Sequence, residues 1–168
     1  MDEIAALIEP QIPGLRRYAW ALLRDDEAAD DLVQDTLERA ISRWHQRRRD
    51  GDLRAWLFTI QRNLFLNGLR QRRQRGPHVG VETLDDMPAS EGGEDGTGLR
   101  DLLSGLDALP EEQRSVLLLV GVEDLSYEQA AQVLDVPIGT VMSRLSRARE
   151  KMRQFMETGR NAVLRRIK

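Results

Sequence analysis

Residues able to do covalent chemistry are scarce in this chain. It has no cysteine and two histidines, His45 and His78, each isolated. Disulfides, thiolate zinc sites and cysteine nucleophiles are therefore excluded. Carboxylates do cluster in DDEAADDLVQDTLERAI, with Asp30, Asp31, Asp35 and Glu38 at helical spacing. They lack the histidine, cysteine or glycine-loop context that a metal, nucleophilic or phosphate site needs. No catalytic constellation, metal set or cofactor motif emerges, so the chain is expected not to be an enzyme.

The side chains that remain suit a polyanion. Between Trp44 and Arg75, four aromatics (Trp44, Trp56, Phe58 and Phe65) lie among nine arginines. Bases of melted nucleic acid stack on rings while guanidinium groups hold phosphates, and this segment supplies both. Trp56 also falls on an apolar stripe, where a tryptophan is more often core than stacking platform. Asn63 and Asn67 are four apart and suit either an unstacked base or neighbouring polar groups. A second candidate is LSYEQAAQVLDVPIGTVMSRLSRARE, which reads as a helix-turn-helix. Its second helix alternates an inward stripe with Thr140, Ser143, Arg144, Arg147 and Arg149, side chains that reach phosphates and base edges from a major groove.

Helices must position these groups. Ile12, Leu15, Ala19, Leu22 and Leu23 form one stripe over 12–24, with Pro13 tolerated in the first turn. A second stripe, from Ala29 through Leu32, Val33, Leu37, Ala40 and Ile41, predicts a helix to about Trp44. Asp52 is placed to cap a third, carrying Leu53, Trp56, Leu57, Ile60 and Leu64 and stopped by Gly76 and Pro77. The run from 76 to 98 is rich in glycine and acids, has no sustained period, and reads as a flexible acidic linker. After it, Leu99, Leu102, Leu103, Leu106 and Leu109 predict a short helix, and Pro110 starts another with Val116 to Val120. Ser126 and Gln129 have capping-box spacing. The expected fold is all-α, with helical domains at 1–75 and 99–168 joined by the linker 76–98.

Charge follows this division. The net charge of −3 hides alternating blocks: residues 39–75 hold eleven arginines against Asp50 and Asp52, and 139–168 hold nine basic residues against Glu150 and Glu157. Each basic block follows an acidic one, which points to two separate polyanion-facing surfaces. No apolar run approaches the roughly 20 residues of a membrane span, and MDEIAALIEP lacks the pattern of a signal peptide. Membrane insertion is not expected, and a cytoplasmic location is.

Three segments, ADDLVQDTLERA, LRAWLFTIQRNLFLNGLR and LSYEQAAQVLDVPIGTVMSRLSRARE, resemble in content and order the hallmark segments of extracytoplasmic-function sigma factors of the sigma-70 family. The resemblance implies a region 2-like three-helix domain, a region 4-like helix-turn-helix domain, and three partners: core RNA polymerase, promoter DNA and an anti-sigma factor. It implies that Asp31, Gln34, Asp35 and Glu38 dock on polymerase. The loop from His45 to Asp52, with Arg47, Arg48, Arg49, Trp56, Asn63 and Arg70, would capture a flipped base of the −10 element. Pro137, Thr140, Ser143, Arg144 and Arg147 would read the −35 element. Met142 departs from the family pattern, in which arginine is frequent.

Length adds a constraint. In the family that the chain resembles, the two promoter elements lie about two duplex turns apart, on the order of 70 Å. A linker of about 23 residues reaches roughly 80 Å only near full stretch and relaxes to about 25 to 30 Å, so a larger body must hold the domains apart. Free in solution they are expected to collapse together or to be clamped by an anti-sigma factor. Two other readings compete: a stand-alone helix-turn-helix regulator that needs no polymerase, and a sigma mimic that titrates an anti-sigma factor without binding DNA.

Overall fold

The computed structural model describes residues 1–75 and 95–167, and among these the regular structure is entirely helical. Most of the stretch expected as linker lies outside the described residues. The first unit is built on α2 (Ile12–Leu23), α3 (Asp26–Ser42) and α4 (Leu53–Gln74). Its local signals are caps. Arg24 closes α2 in the left-handed region at φ 56°, and the Asp25 carboxylate accepts from the Glu27 and Ala28 N–H groups to start α3. Asp52 caps α4 as expected, accepting from the Ala55 N–H at 2.8 Å. Such side chains satisfy donors that a helix start leaves unpaired.

Leu15, Tyr18, Ala19 and Leu22 of α2 bury against Leu32 and Val33 of α3 and Leu57, Phe58 and Phe65 of α4. Gln61, fully buried in α4, donates to the Leu15 carbonyl at 2.8 Å and ties α4 to α2. Two details depart from the expected pattern. Trp44 is not the end of α3 but sits in a single 3-10 turn (Trp44–Gln46), and Ile41 is exposed rather than inward. An additional short helix, α1 (Asp2–Ile8), precedes α2 and brings Ile4 and Ile8 to an apolar hollow shared with Leu37 and Ile41.

The second unit comprises α5 (Asp95–Ala108), α6 (Glu111–Val116), α7 (Tyr127–Leu134) and α8 (Ile138–Ile167). α5 starts at Asp95, so its first turn lies within the stretch read as linker. Leu103, Leu106 and Leu109 bury as expected, whereas Leu99 and Leu102 stay exposed. α6 loosens into a π-helical turn (Leu117–Val122) that delivers Glu123 to the protein interior. The Ser126–Gln129 capping box forms in full, with the Gln129 N–H donating to the Ser126 hydroxyl at 3.0 Å and the Ser126 N–H to the Gln129 side chain at 2.8 Å. Asp135, left-handed at φ 53°, ends α7 and turns the chain into α8.

Candidate nucleic-acid interface

α3 and α4 run antiparallel, and the seam between them carries Asp31, Asp35, Asn63 and Arg70 of the residues singled out in the first unit. At one end Asp31 and Asp35 of α3 line a cavity of about 210 Å³ with Gly68 and Arg72 of α4. Gln34 and Glu38 lie exposed on the same helix, joined by a 3.4 Å hydrogen bond. At the other end Arg39 and Arg43 face Asn63, Asn67 and Arg70 around a polar groove of about 400 Å³. The seam thus changes sign along its length. Arg39 and Arg43 were not singled out from the sequence, although their spacing of four and eight from Asp35 puts them on that residue's stripe.

The loop between α3 and α4 is organised by aromatics. Trp44 meets Trp56 edge to face with ring centroids 6.1 Å apart, and the Arg47 guanidinium lies over the Trp44 ring at 4.7 Å. Trp56 is half-buried, so it serves the core and reaches the loop together. Arg48 pairs loosely with Asp50 at 3.7 Å and Arg49 is exposed. The buried Nε of Arg47 has no hydrogen-bond partner among the described residues.

In the second unit Val141, Leu145, Ala148 and Met152 of α8 point inward. Pro137, Ser143, Arg147, Arg149 and Met142 are exposed, and Thr140 is partly covered. Arg144 turns back to Glu112 of α6 at 3.6 Å and is only 22% exposed, unlike the solvated arginine expected.

The two units are packed together, and polar groups carry much of the contact. Glu123 is the hub. Its buried carboxylate accepts two hydrogen bonds of 3.0 Å from the Arg17 guanidinium, while Arg54 donates to its carbonyl and pairs with its carboxylate at 3.6 Å. Gly14 permits this approach, because a Cβ there would stand 2.8 Å from Glu123 Oε2. Arg62 of α4 donates to Glu111 of α6 and to the Ser115 hydroxyl, both at 2.6 Å, and the Tyr18 hydroxyl lies 3.3 Å from Ser115. Arg24 reaches Asp107 and the Leu103 carbonyl, each at 3.2 Å. Gln129 of α7 donates to Asp52 at 2.5 Å, so the first helix of the helix-turn-helix sits on the capped start of α4.

Burial alone would raise the Glu111 carboxyl, but its hydrogen bond to Arg62, that guanidinium's charge and the Ser115 hydroxyl together hold it below the ordinary glutamate range. A carboxyl depressed by docking stabilises the docked state fully above its free value and loses that contribution as pH falls from there through its depressed docked value. Interdomain contact should therefore be steady at neutral pH and loosen progressively below about pH 4.3. Small-angle scattering across a pH series checks this, and Glu111→Gln should flatten the response.

Comparison with known proteins agrees with this geometry. Residues 8–61 match the model described as the Sigma2 domain of PhyR, and residues 99–152 match Sigma-70, region 4. The chain is 38% identical over 151 residues to the ECF RNA polymerase sigma factor EcfG of Rhodopseudomonas palustris, covering 90% of this chain and 83% of that protein. Among solved structures it resembles the sigma factor RpoE of Bartonella quintana, crystallised with the anti-sigma factor NepR, at 34% identity and a TM-score of 0.81, covering 94% of this chain and 98% of the other. CnrH, solved with the cytosolic domain of CnrY, matches at 25% identity and a TM-score of 0.69, covering 92% and 87%. The order of the motifs, the two helical units and 38% identity over 90% of the chain to a sigma factor converge: the chain belongs to the extracytoplasmic-function RNA polymerase sigma factors.

Proposed function

We propose that this chain is an alternative sigma factor that binds core RNA polymerase and directs initiation by reading −35 DNA and melting and capturing −10 DNA. It performs no catalysis of its own and works in the cytoplasm, where its polymerase is. Residues 1–75 act as the polymerase and −10 domain, 76–98 as the linker, and 99–168 as the −35 domain. The observation that carries this reading is the pair of cationic faces, on α4 with its preceding loop and on α8, held on separate helical units of a chain similar over nearly its full length to sigma factors.

Within that reading Asp31, Gln34, Asp35 and Glu38 meet polymerase. Arg47, Arg48, Arg49, Trp56, Asn63 and Arg70 meet the −10 strand, and Pro137, Thr140, Ser143, Arg144 and Arg147 meet the −35 duplex. Arg144 has to leave Glu112 to do so. The closed arrangement is an off state: with α7 on the start of α4, the two DNA faces cannot span the roughly 70 Å between promoter elements. The likeness to RpoE covers 94% of this chain at a TM-score of 0.81, which supports a similar placement of both units, and RpoE was solved with an anti-sigma factor. An anti-sigma factor of that kind is the proposed restraint here, clasping a conformation the chain already favours.

Transcription with purified core polymerase and a promoter library tests the central claim. Specific starts should appear only when this chain is added, and a folded chain that never supports them removes the proposal. Arg147→Ala should weaken binding to selected −35 DNA by about 1 to 3 kcal/mol if the arginine touches a base, and uniformly across sequences if it touches phosphate. A gel-shift or anisotropy series over variant duplexes distinguishes these, and no change at all would move the recognition surface elsewhere. A sigma mimic is favoured by one observation, the match of residues 8–61 to a PhyR domain. The exposed Arg147 and Arg149 on α8 oppose it, since a mimic has no use for a cationic recognition helix.

A further inference from the structure

We propose that Met142, backed by Ile138 one turn earlier on α8, reads the C5 methyl group of a thymine in the −35 duplex. The proposal rests on the reading of α8 as the helix that enters the −35 major groove, and it adds an apolar specificity contact to the arginines and hydroxyls assigned there.

Ile138 and Met142 are the first and fifth residues of α8 and are 42% and 49% exposed. Single exposed apolar residues are ordinary on a protein surface. These two differ, because a spacing of four sets them side by side, at the end of the helix that a helix-turn-helix presents to base edges. Val141, Leu145 and Ala148 already fill the inward face, and the apolar pair lies outside it. Gly139 is exposed beside them, and a Cβ there would meet nothing within 4 Å. No neighbour within the described fold requires a glycine at that place. Its bare backbone instead leaves room for the edge of a base pair to come close.

The polar side chains of the same turns are less free than their types suggest. The Ser143 hydroxyl donates to the Thr140 carbonyl at 3.1 Å, Arg144 is drawn back to Glu112 at 3.6 Å, and Thr140 is partly covered. What these turns hold out to solvent is therefore largely the thioether arm of Met142 and the branched side chain of Ile138. Among the four bases only thymine shows an apolar group in the major groove, its C5 methyl. A methionine side chain is unbranched and polarisable, so it can adjust to meet that methyl. Ile138 shields its flank from water, while Ser143 and, one turn on, Arg147 stand beside it for phosphates and polar base edges.

The test uses the full chain bound to core polymerase and a duplex promoter selected by that holoenzyme, at one fixed salt concentration because phosphate contacts make affinity salt-dependent. Each thymine of the −35 element, on either strand, is replaced in turn by deoxyuridine, which keeps the pairing and removes only the methyl. At one or more positions the wild type should bind about fourfold weaker without it, the effect of burying one methyl-sized group. Met142→Gln keeps the length and helix propensity of the side chain but not its apolar tip, so the ratio of thymine to deoxyuridine should fall to near one whatever happens to overall affinity. Met142→Leu should retain the methyl dependence. A loss at no thymine, or a loss that Met142→Gln leaves as large, overturns the proposal. In that event Arg147→Ala separates the two layers: if it weakens binding to the same duplex, the recognition face stands and only the apolar contact falls. If it changes nothing, the placement of the −35 face on α8 fails as well. Weaker binding of Met142→Gln to core polymerase with no DNA present would put the apolar pair in a protein interface, and would equally overturn the proposal.

Discussion

Arg17→Ala should spring the two domains apart, whereas alanine at its neighbour Arg16 should change almost nothing. Arg16 pairs at 3.1 Å with Asp30, and both side chains are more than half exposed. Exposed pairs of this kind contribute about 0 to 1 kcal/mol. Arg17 is itself 58% exposed, but its partner is not: the Glu123 side chain is 1% exposed. Stripping a buried ion of its partner costs about 3 to 5 kcal/mol. That figure must be reduced because Arg54 remains beside Glu123 and water can approach from the Arg17 side. We expect about 2 kcal/mol, or roughly a thirtyfold shift toward the open form, in which Glu123 becomes hydrated.

Two readouts follow from that shift. The distance between spin labels on α3 and α8 should lengthen in the free protein. Apparent affinity for core polymerase should rise, because a ligand that needs a minor conformer binds in proportion to the fraction of it present. If Arg17→Ala and Arg16→Ala prove equivalent in both assays, Glu123 is not the hub of the closed state.

The second large effect is expected at the other end of the first unit. Asp35→Arg should abolish polymerase binding, by at least about a hundredfold, because it removes an acidic contact and sets a cation in its place at an interface where like charges cost several kcal/mol. Asp35 is exposed on α3 and holds no buried partner among the described residues, so helicity and melting temperature should be preserved. The substitution also extends the cationic end of the seam, where Arg39 and Arg43 already stand. A gain in nonspecific DNA binding would therefore accompany the loss of polymerase. Retained polymerase affinity with an intact fold would remove the docking assignment of the whole acidic stripe.

Legibility in the sequence followed distance along the chain. The Asp52 cap and the Ser126–Gln129 capping box join groups three residues apart, and the buried stripes of α2 and α8 repeat at helical period, so each announces itself within a few turns. Ile41, Leu99 and Leu102 obey the same period and yet are exposed, because periodicity says which residues share a face and not whether another element covers it. α1 carried too few turns for a stripe to stand out.

The candidate site divides the same way. Two cationic segments, the first with interleaved aromatics, were evident from composition, since charge and ring content need no coordinates to count. The sign change along the α3–α4 seam was not, because it arises only when two antiparallel helices set Arg39 and Arg43 beside Asn63 and Arg70.

By itself the sequence determined most of the helices, the Asp52 and Ser126–Gln129 caps and the two cationic segments, since all of these depend on neighbours within one or two turns or on composition alone. Only the tertiary structure decided that the units lock onto each other through Glu123 and Arg62, and that Arg144 faces Glu112. Arg17 and Glu123 are 106 residues apart, and nothing in local spacing marks one arginine among twenty-three as the partner of a buried glutamate. Burial makes that choice. A carboxylate withdrawn from water must find a cation, and which one it finds depends on how two folded surfaces meet.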